Sequence, residues 1–181
     1  MKIILGVTGS VAAKLTPKLV AAIRELHPQA ETTVVSTGRG LYFFDQHEVE
    51  KYGVTVMTDK DEWPENGYAK GKPVPHIDMG EWADILLIAP LTADTLSDMA
   101  HGKADKFLTS IVLAWPREKR IIVAPAMNTR MWENPITKAN LEYLRDVYRL
   151  TVIEPIEGNL ACGVTGVGAM AKINDIVMAI S

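Results

Sequence analysis

Asn128 follows the apolar run Ile121–Ala124 within Pro125-Ala126-Met127-Asn128-Thr129-Arg130-Met131-Trp132. Packing accounts for Met131 and Trp132, but not for a carboxamide just past a buried strand, which would face whatever crevice that strand opens into. A second candidate, His76, lies in Pro75-His76-Ile77-Asp78, shortly before Trp82-Ala83-Asp84. An imidazole titrates at about 6.5 in model peptides and so can take or give a proton near neutrality; a surface or satisfied core histidine is the plainer reading. The one thiol, Cys162, sits in the middle of Gly158–Met170, where four of the 13 glycines fall at positions 158, 163, 166 and 168. So permissive a segment makes a poor core element and a good mobile flap, although burial as an inert side chain is the commoner fate of a lone cysteine. No Cys/His pair has the spacing of metal ligands, and no metal site is expected.

Three further segments carry polar groups just after apolar runs. Gly9 and Ser10, in Gly6-Val7-Thr8-Gly9-Ser10-Val11-Ala12-Ala13, could present backbone N–H groups and a hydroxyl to a phosphate at a helix start. The spacing is neither G-x-G-x-x-G nor a P-loop, and a tight turn with an N-cap serine explains the same residues. Ser36-Thr37-Gly38-Arg39-Gly40 would suit phosphate contacts, with Arg39 as a partner, or serve as an ordinary polar turn. In Ala89-Pro90-Leu91-Thr92-Ala93-Asp94-Thr95-Leu96, Thr92 reads as an N-cap and Asp94 as an acidic first-turn residue.

The elements that must position these groups are legible as runs. Ile3–Val7, Thr32–Ser36, Val54–Met57, Ile85–Ala89, Ile121–Ala124 and Thr151–Ile153 are short and mostly continuously apolar, as strands buried on both faces of a parallel sheet are. Between them, Leu15, Leu19, Ala22 and Leu26 keep helical spacing, as do Ala104, Leu108, Ile111 and Trp115, and again Leu141, Leu144 and Tyr148. Asn134-Pro135 is an N-cap and first-turn pair, and Thr16-Pro17 offers a similar start for the first helix, unless that helix begins at Ser10. Alternating strands and helices define an α/β fold: a three-layer, doubly wound parallel sheet, Rossmann- or flavodoxin-like, in one domain over 1–181. The polar stretch from Asp59 to Pro75 reads as a surface excursion. Ligands of such sheets bind at the carboxyl ends of the strands, so the residues that follow each strand matter most.

With 19 basic and 22 acidic residues the net charge is −3, without like-charge blocks, so nucleic acid and anionic membranes are not expected partners. A lone cysteine fits a reducing compartment. The apolar start is broken at Thr8-Gly9-Ser10, too early for a secretion signal, and a cytoplasmic protein is expected.

Taken together, these segments resemble the flavin-containing cysteine decarboxylase family. Pro125–Trp132 is similar to its P-x-M-N-x-x-M-W signature. Leu160-Ala161-Cys162-Gly163 with Gly168-Ala169-Met170-Ala171 resembles its substrate-recognition flap, and His76-Ile77-Asp78 with Trp82-Ala83-Asp84 the stretch that carries its active-site histidine. The resemblance implies FMN as cofactor, lined by Gly9, Ser10, Val11, Ser36 or Thr37, Thr92, Ala93, Asp94, Thr95 and Ala126. It also implies a homotrimer with FMN near the subunit interface, assembled in some members into a dodecamer. Asn128, Ala161, Cys162 and Gly163 would bind substrate, and His76, Cys162 and Asn128 would be catalytic.

The implied reaction is FMN-dependent decarboxylation of 4′-phospho-N-pantothenoylcysteine to 4′-phosphopantetheine in coenzyme A biosynthesis. It runs by transient oxidation to a thioaldehyde, CO2 loss to an ene-thiolate, and re-reduction by the flavin. His76 would accept a proton, Asn128 would hold the substrate carboxylate, and Cys162 would donate a proton in the closing reduction. Two alternatives remain: a peptidyl-cysteine oxidative decarboxylase of peptide maturation, which needs no flap cysteine, and a non-catalytic, phosphatase-regulating flavoprotein. The sequence departs from the family at Asp94, where asparagine is usual, and at Lys172, where glutamate is common.

Overall fold

Each of the six apolar runs becomes a strand of one parallel sheet. The computed structural model of the chain describes residues 1–63 and 71–181. In chain order the elements are β1 (Lys2–Val7), a 3-10 turn (Val11–Leu15), α1 (Thr16–Leu26), β2 (Glu31–Ser36), α2 (Gly38–Leu41), α3 (Gln46–Glu50) and β3 (Thr55–Met57). There follow α4 (Asp59–Glu62), α5 (Pro75–Trp82), β4 (Ile85–Leu91), α6 (Ala93–Ala100), α7 (Phe107–Leu113) and β5 (Arg120–Pro125). The last third holds α8 (Thr129–Trp132), α9 (Pro135–Tyr148), β6 (Thr151–Val152), β7 (Ile156–Asn159), β8 (Thr165–Ala169) and α10 (Ile173–Met178).

The sheet order is β3-β2-β1-β4-β5-β6, every pair parallel. That is the Rossmann order rather than the flavodoxin one, and it reverses between β1 and β4, so the ligand crevice belongs beyond Val7 and Leu91. Leu5 pairs with Val34 on one side and with Leu87 on the other, which fixes the register at the centre.

Side chains alternate across the sheet and divide the core in two. Ile3, Leu5 and Val7 face the layer of α1 and α10 with Leu19, Ile23 and Ile176, while Ile4 faces α6, α7 and α9 with Leu96, Phe107 and Leu144. Full burial of each such side chain contributes roughly 1.5–3 kcal/mol. Among the described residues no helix is long and apolar enough to cross a membrane.

The caps explain where the helices begin. The first helical pattern divides: Ser10 caps the 3-10 turn, accepting from the Ala12 N–H, and Pro17 in the first turn opens α1. Asn134 accepts from the Ile136 N–H at 2.9 Å, as its place before Pro135 suggests. The pattern from Ala104 to Trp115 yields a shorter helix, because Asp59 Oδ1 accepts from the Phe107 N–H at 2.9 Å and fixes its start there.

Two expectations are revised. The stretch from Asp59 to Pro75 is not only a surface excursion: its first residues form α4, closed by a capping box between Thr58 and Asp61, and Glu62 is buried. Its middle, 64–70, lies outside the described residues. The glycine-rich segment forms an antiparallel hairpin, β7–β8. A side chain at Gly168 would overlap the Met127 carbonyl oxygen and one at Gly166 the Thr129 hydroxyl, so these glycines admit close backbone packing. Gly163, at the tip with φ +80° and open space around it, uses glycine's conformational freedom, and Gly168, at φ +153°, uses it as well.

Candidate functional site

The first turn is pinned to the fourth strand by Thr8, which is fully buried. Its hydroxyl donates to the Pro90 carbonyl at 2.8 Å and accepts from the Thr92 N–H at 2.9 Å. The two segments that flank the sheet's reversal are thereby locked together. Gly9 follows, and a Cβ there would stand 2.5 Å from Cβ of Arg39, so the first and second turns touch without room for a side chain.

Thr92 occupies the N-cap position of α6 but makes no capping hydrogen bond with its side chain; its hydroxyl donates instead to Asp94 Oδ1 at 2.6 Å. The first-turn N–H groups of α6 are thus left for another acceptor, at the switch point where an anion would sit. Thr37 does cap α2, accepting from the Gly40 N–H, and Ser36 is buried with its hydroxyl donating to the Thr37 carbonyl.

Two cavities flank the Gly9–Ser10 turn. One, of about 550 Å³, is lined by Gly9, Thr37, Gly38, Arg39, Asp94 and Thr95, with Asp59, Asp98, Lys103, Asp105 and Lys106 at its charged rim. The rim cations are already paired: Arg39 lies 3.9 Å from Asp94, Lys103 bridges Asp98 and Asp105, and Lys106 pairs with Asp98. The hydrogen bond from Lys103, 2.8 Å away, holds the Asp105 carboxyl below its ordinary value, and the same bond raises the lysine. Anion binding here therefore falls to backbone N–H groups and hydroxyls more than to a free cation.

The other cavity, of about 450 Å³, lies between Ser10–Leu15, Ala126–Asn128 and the hairpin, with Ala161, Cys162 and Gly168 on its wall. Lys14 is the one charged side chain among its described lining residues. Asn128 caps α8: its carbonyl oxygen accepts from the Arg130 N–H at 2.9 Å, which fixes the amide's orientation and turns the NH2 outward. That NH2 donates to Sγ of Cys162 at 3.1 Å. Met127 N–H bonds the Gly168 carbonyl at 2.9 Å, so the hairpin is joined to the Asn128 segment through its backbone. Cys162 itself is an exposed, free thiol.

His76 stands elsewhere. It occupies the first turn of α5, whose helix packs with Met79 and Trp82 on the α6–α7–α9 layer, and it lines neither cavity. Lys119 anchors the far end of α5, donating to the Gly80, Glu81 and Ala83 carbonyls at 2.8–2.9 Å. Nδ1 of His76 lies 2.6 Å from Oε1 of Glu62.

The structure therefore brings Asn128, Ala161 and Cys162 together with Ser10, Val11 and Ala126, and brings Gly9, Thr37, Asp94 and Thr95 to the neighbouring cavity. Ser36, Thr92, Ala93 and Gly163 line neither cavity, and His76 joins neither. Sequence reasoning missed Lys14, Thr8 and Glu62. An acid inside a polar run carries no sign of burial, although Thr8 stood in the turn already singled out.

A nucleotide-like ligand fits this arrangement on two grounds: uncapped N–H groups of α6 at the sheet's reversal, and a turn at Gly9 closed to side chains. The class so defined is a Rossmann-type nucleotide-binding domain, and the chain belongs to the Flavoprotein family, whose model matches residues 1–181.

Among its relatives is the phosphopantothenoylcysteine decarboxylase of Mus musculus, 41% identical over 176 residues, which cover 97% of this chain and 83% of that protein. Among solved structures, a cysteine-to-serine mutant of PPC decarboxylase complexed with pantothenoylaminoethenethiol superposes with a TM-score of 0.92 at 41% identity, covering 99% of this chain and 95% of that one. The FMN binding protein AtHal3 superposes with a TM-score of 0.88 at 42% identity, covering 99% and 94%.

Proposed function

We propose that this chain is an FMN-dependent decarboxylase that converts 4′-phospho-N-pantothenoylcysteine to 4′-phosphopantetheine in coenzyme A biosynthesis. One observation carries the reading: the outward NH2 of Asn128 meets the thiol of Cys162 in a cavity beside the flavin-type turns. Gly9, Ser10, Val11, Thr37, Thr92–Thr95 and Ala126 hold the FMN, with Ser36 supporting the second turn from beneath. When bound, FMN supplies a reversible two-electron oxidation of the thiol-bearing carbon, giving the carboxylate a neighbouring C=S group able to take up the electrons that CO2 leaves behind.

The chain's own residues bind, orient and move protons. Asn128 holds the substrate carboxylate by a neutral donor; a cation there would stabilise the charged ground state more than departing CO2 and raise the barrier. Ala161 and Gly163, which flank Cys162, close over the substrate with the hairpin. His76 accepts a proton at the start of the cycle, and Cys162 delivers one from Sγ at its end. The presence of Cys162 favours this substrate over a peptidyl cysteine, whose decarboxylation stops at the ene-thiol, and His76 together with Cys162 favours catalysis over a purely regulatory flavoprotein.

His76 lines neither cavity, and a second copy would bring it to Asn128 and Cys162. This supports a homotrimer with FMN near the subunit interface, and a dodecamer as a further assembly of trimers. We place the protein in the cytoplasm as a single domain over 1–181. The test is CO2 and thiol release by FMN-loaded protein from 4′-phospho-N-pantothenoylcysteine, beside a peptide ending in cysteine. Turnover of the first and not the second is expected; the reverse overturns the reading.

A further inference from the structure

We propose that Glu62 is a positioning residue for His76, a role that rests on His76 being the proton acceptor. The side chain of Glu62 is 3% exposed, and its Oε1 lies 2.6 Å from Nδ1 of His76, whose own side chain is 27% exposed. Its other oxygen, Oε2, is buried without a hydrogen-bond partner among the described residues. An ionised carboxylate only accepts hydrogen bonds. The proton of a neutral His76 therefore sits on Nδ1 and the free lone pair on Nε2. That tautomer leaves Nε2 ready to take a proton, and the buried carboxylate then faces the positive charge the ring acquires, in the manner of the acid in a hydrolase triad.

Local structure delivers Glu62 to this place. The Thr58–Asp61 capping box winds α4. Asp59, one turn before Glu62, fastens α4 to the start of α7 through the Phe107 N–H. α4 and α7 both pack against α5, so the acid meets the first turn of the helix that carries His76.

Stability alone is a poor reason for the arrangement. A carboxylate buried with one hydrogen bond is no more stabilising than an apolar side chain of similar volume, and often less. Keeping an acid here points to work done through the imidazole.

The experiment uses FMN-loaded protein labelled with 15N-histidine at mildly alkaline pH, where long-range 1H–15N correlations assign the His76 tautomer without substrate. Wild type is expected to show the Nδ1–H form. Glu62→Leu is expected to revert to Nε2–H, to keep its flavin absorbance and melting temperature, and to lose on the order of 10- to 100-fold in kcat with KM little changed, the usual loss when the partner orienting a working imidazole is removed. Glu62→Gln, which retains a carbonyl acceptor, is expected to recover the Nδ1–H form.

Wild-type protein that turns over substrate with His76 as Nε2–H overturns the role of Glu62 and leaves the decarboxylase reading standing; this holds even if Glu62→Leu fails to fold. Glu62→Leu with unchanged tautomer and kcat overturns it as well. Wild-type protein in the Nδ1–H form that releases no CO2 overturns the decarboxylase reading itself, and the proton-accepting role with it.

Discussion

The NH2 of Asn128 donates to the sulfur of Cys162 across 3.1 Å, although 34 positions separate them in the chain. The amide oxygen of the same residue caps α8, so one side chain both starts a helix and reaches the thiol. Replacing it with aspartate keeps the cap and removes the donor. Asn128→Asp is expected to retain its fold and flavin absorbance while CO2 release falls on the order of 10²- to 10³-fold, as when a preorganised donor is lost. Asn128→Ala removes the cap as well and is expected to cost about 1 kcal/mol in a denaturant titration.

Cys162 is exposed at the hairpin and lies outside the two buried core clusters. Cys162→Ser is therefore expected to fold normally and still release CO2, while the product collects as ene-thiol, read by mass spectrometry. Full production of the saturated thiol by this variant would remove Cys162 from the chemistry.

Gly168 presses its backbone on Met127 at φ +153°, leaving no space for a side chain. Gly168→Ala is expected to destabilise by about 1–3 kcal/mol and to loosen the hairpin from Asn128, lowering activity along with the melting temperature. Gly38 has open space around it and no left-handed φ. Gly38→Ala is expected to stay within about 0.5 kcal/mol of wild type, which makes it the internal control for stability.

Thr8→Val keeps shape but removes the hydroxyl that bridges Pro90 and Thr92. The buried Thr92 N–H loses its partner, and a loss of about 1–3 kcal/mol is expected by thermal or chemical denaturation. Flavin affinity should weaken too, since the bond ties together the two turns proposed to hold the cofactor.

The sheet was legible because its central strands β1, β4 and β5 are buried on both faces and read as apolar runs. Asn128 and Cys162 stood out because their chemistry contradicts their setting, a carboxamide after a core strand and a thiol among glycines. Other features depend on contacts between distant segments. Gly166 and Gly168 read as flexibility until Met127 and Thr129 are seen against them. Glu62 reads as solvated until His76 is seen against it and Asp59 is seen fastening its helix to α7. Sequence reasoning passed over α10, although Ile173, Ile176 and Val177 keep helical spacing.

The decisive measurement is CO2 evolution from 4′-phospho-N-pantothenoylcysteine by flavin-loaded protein, by the same preparation stripped of flavin, and by the stripped protein after FMN is restored. Activity that disappears with the flavin and returns with FMN is the expected result. Equal turnover with and without flavin, or none in any of the three, would mean that the cavity beside Asn128 and Cys162 serves some other reaction.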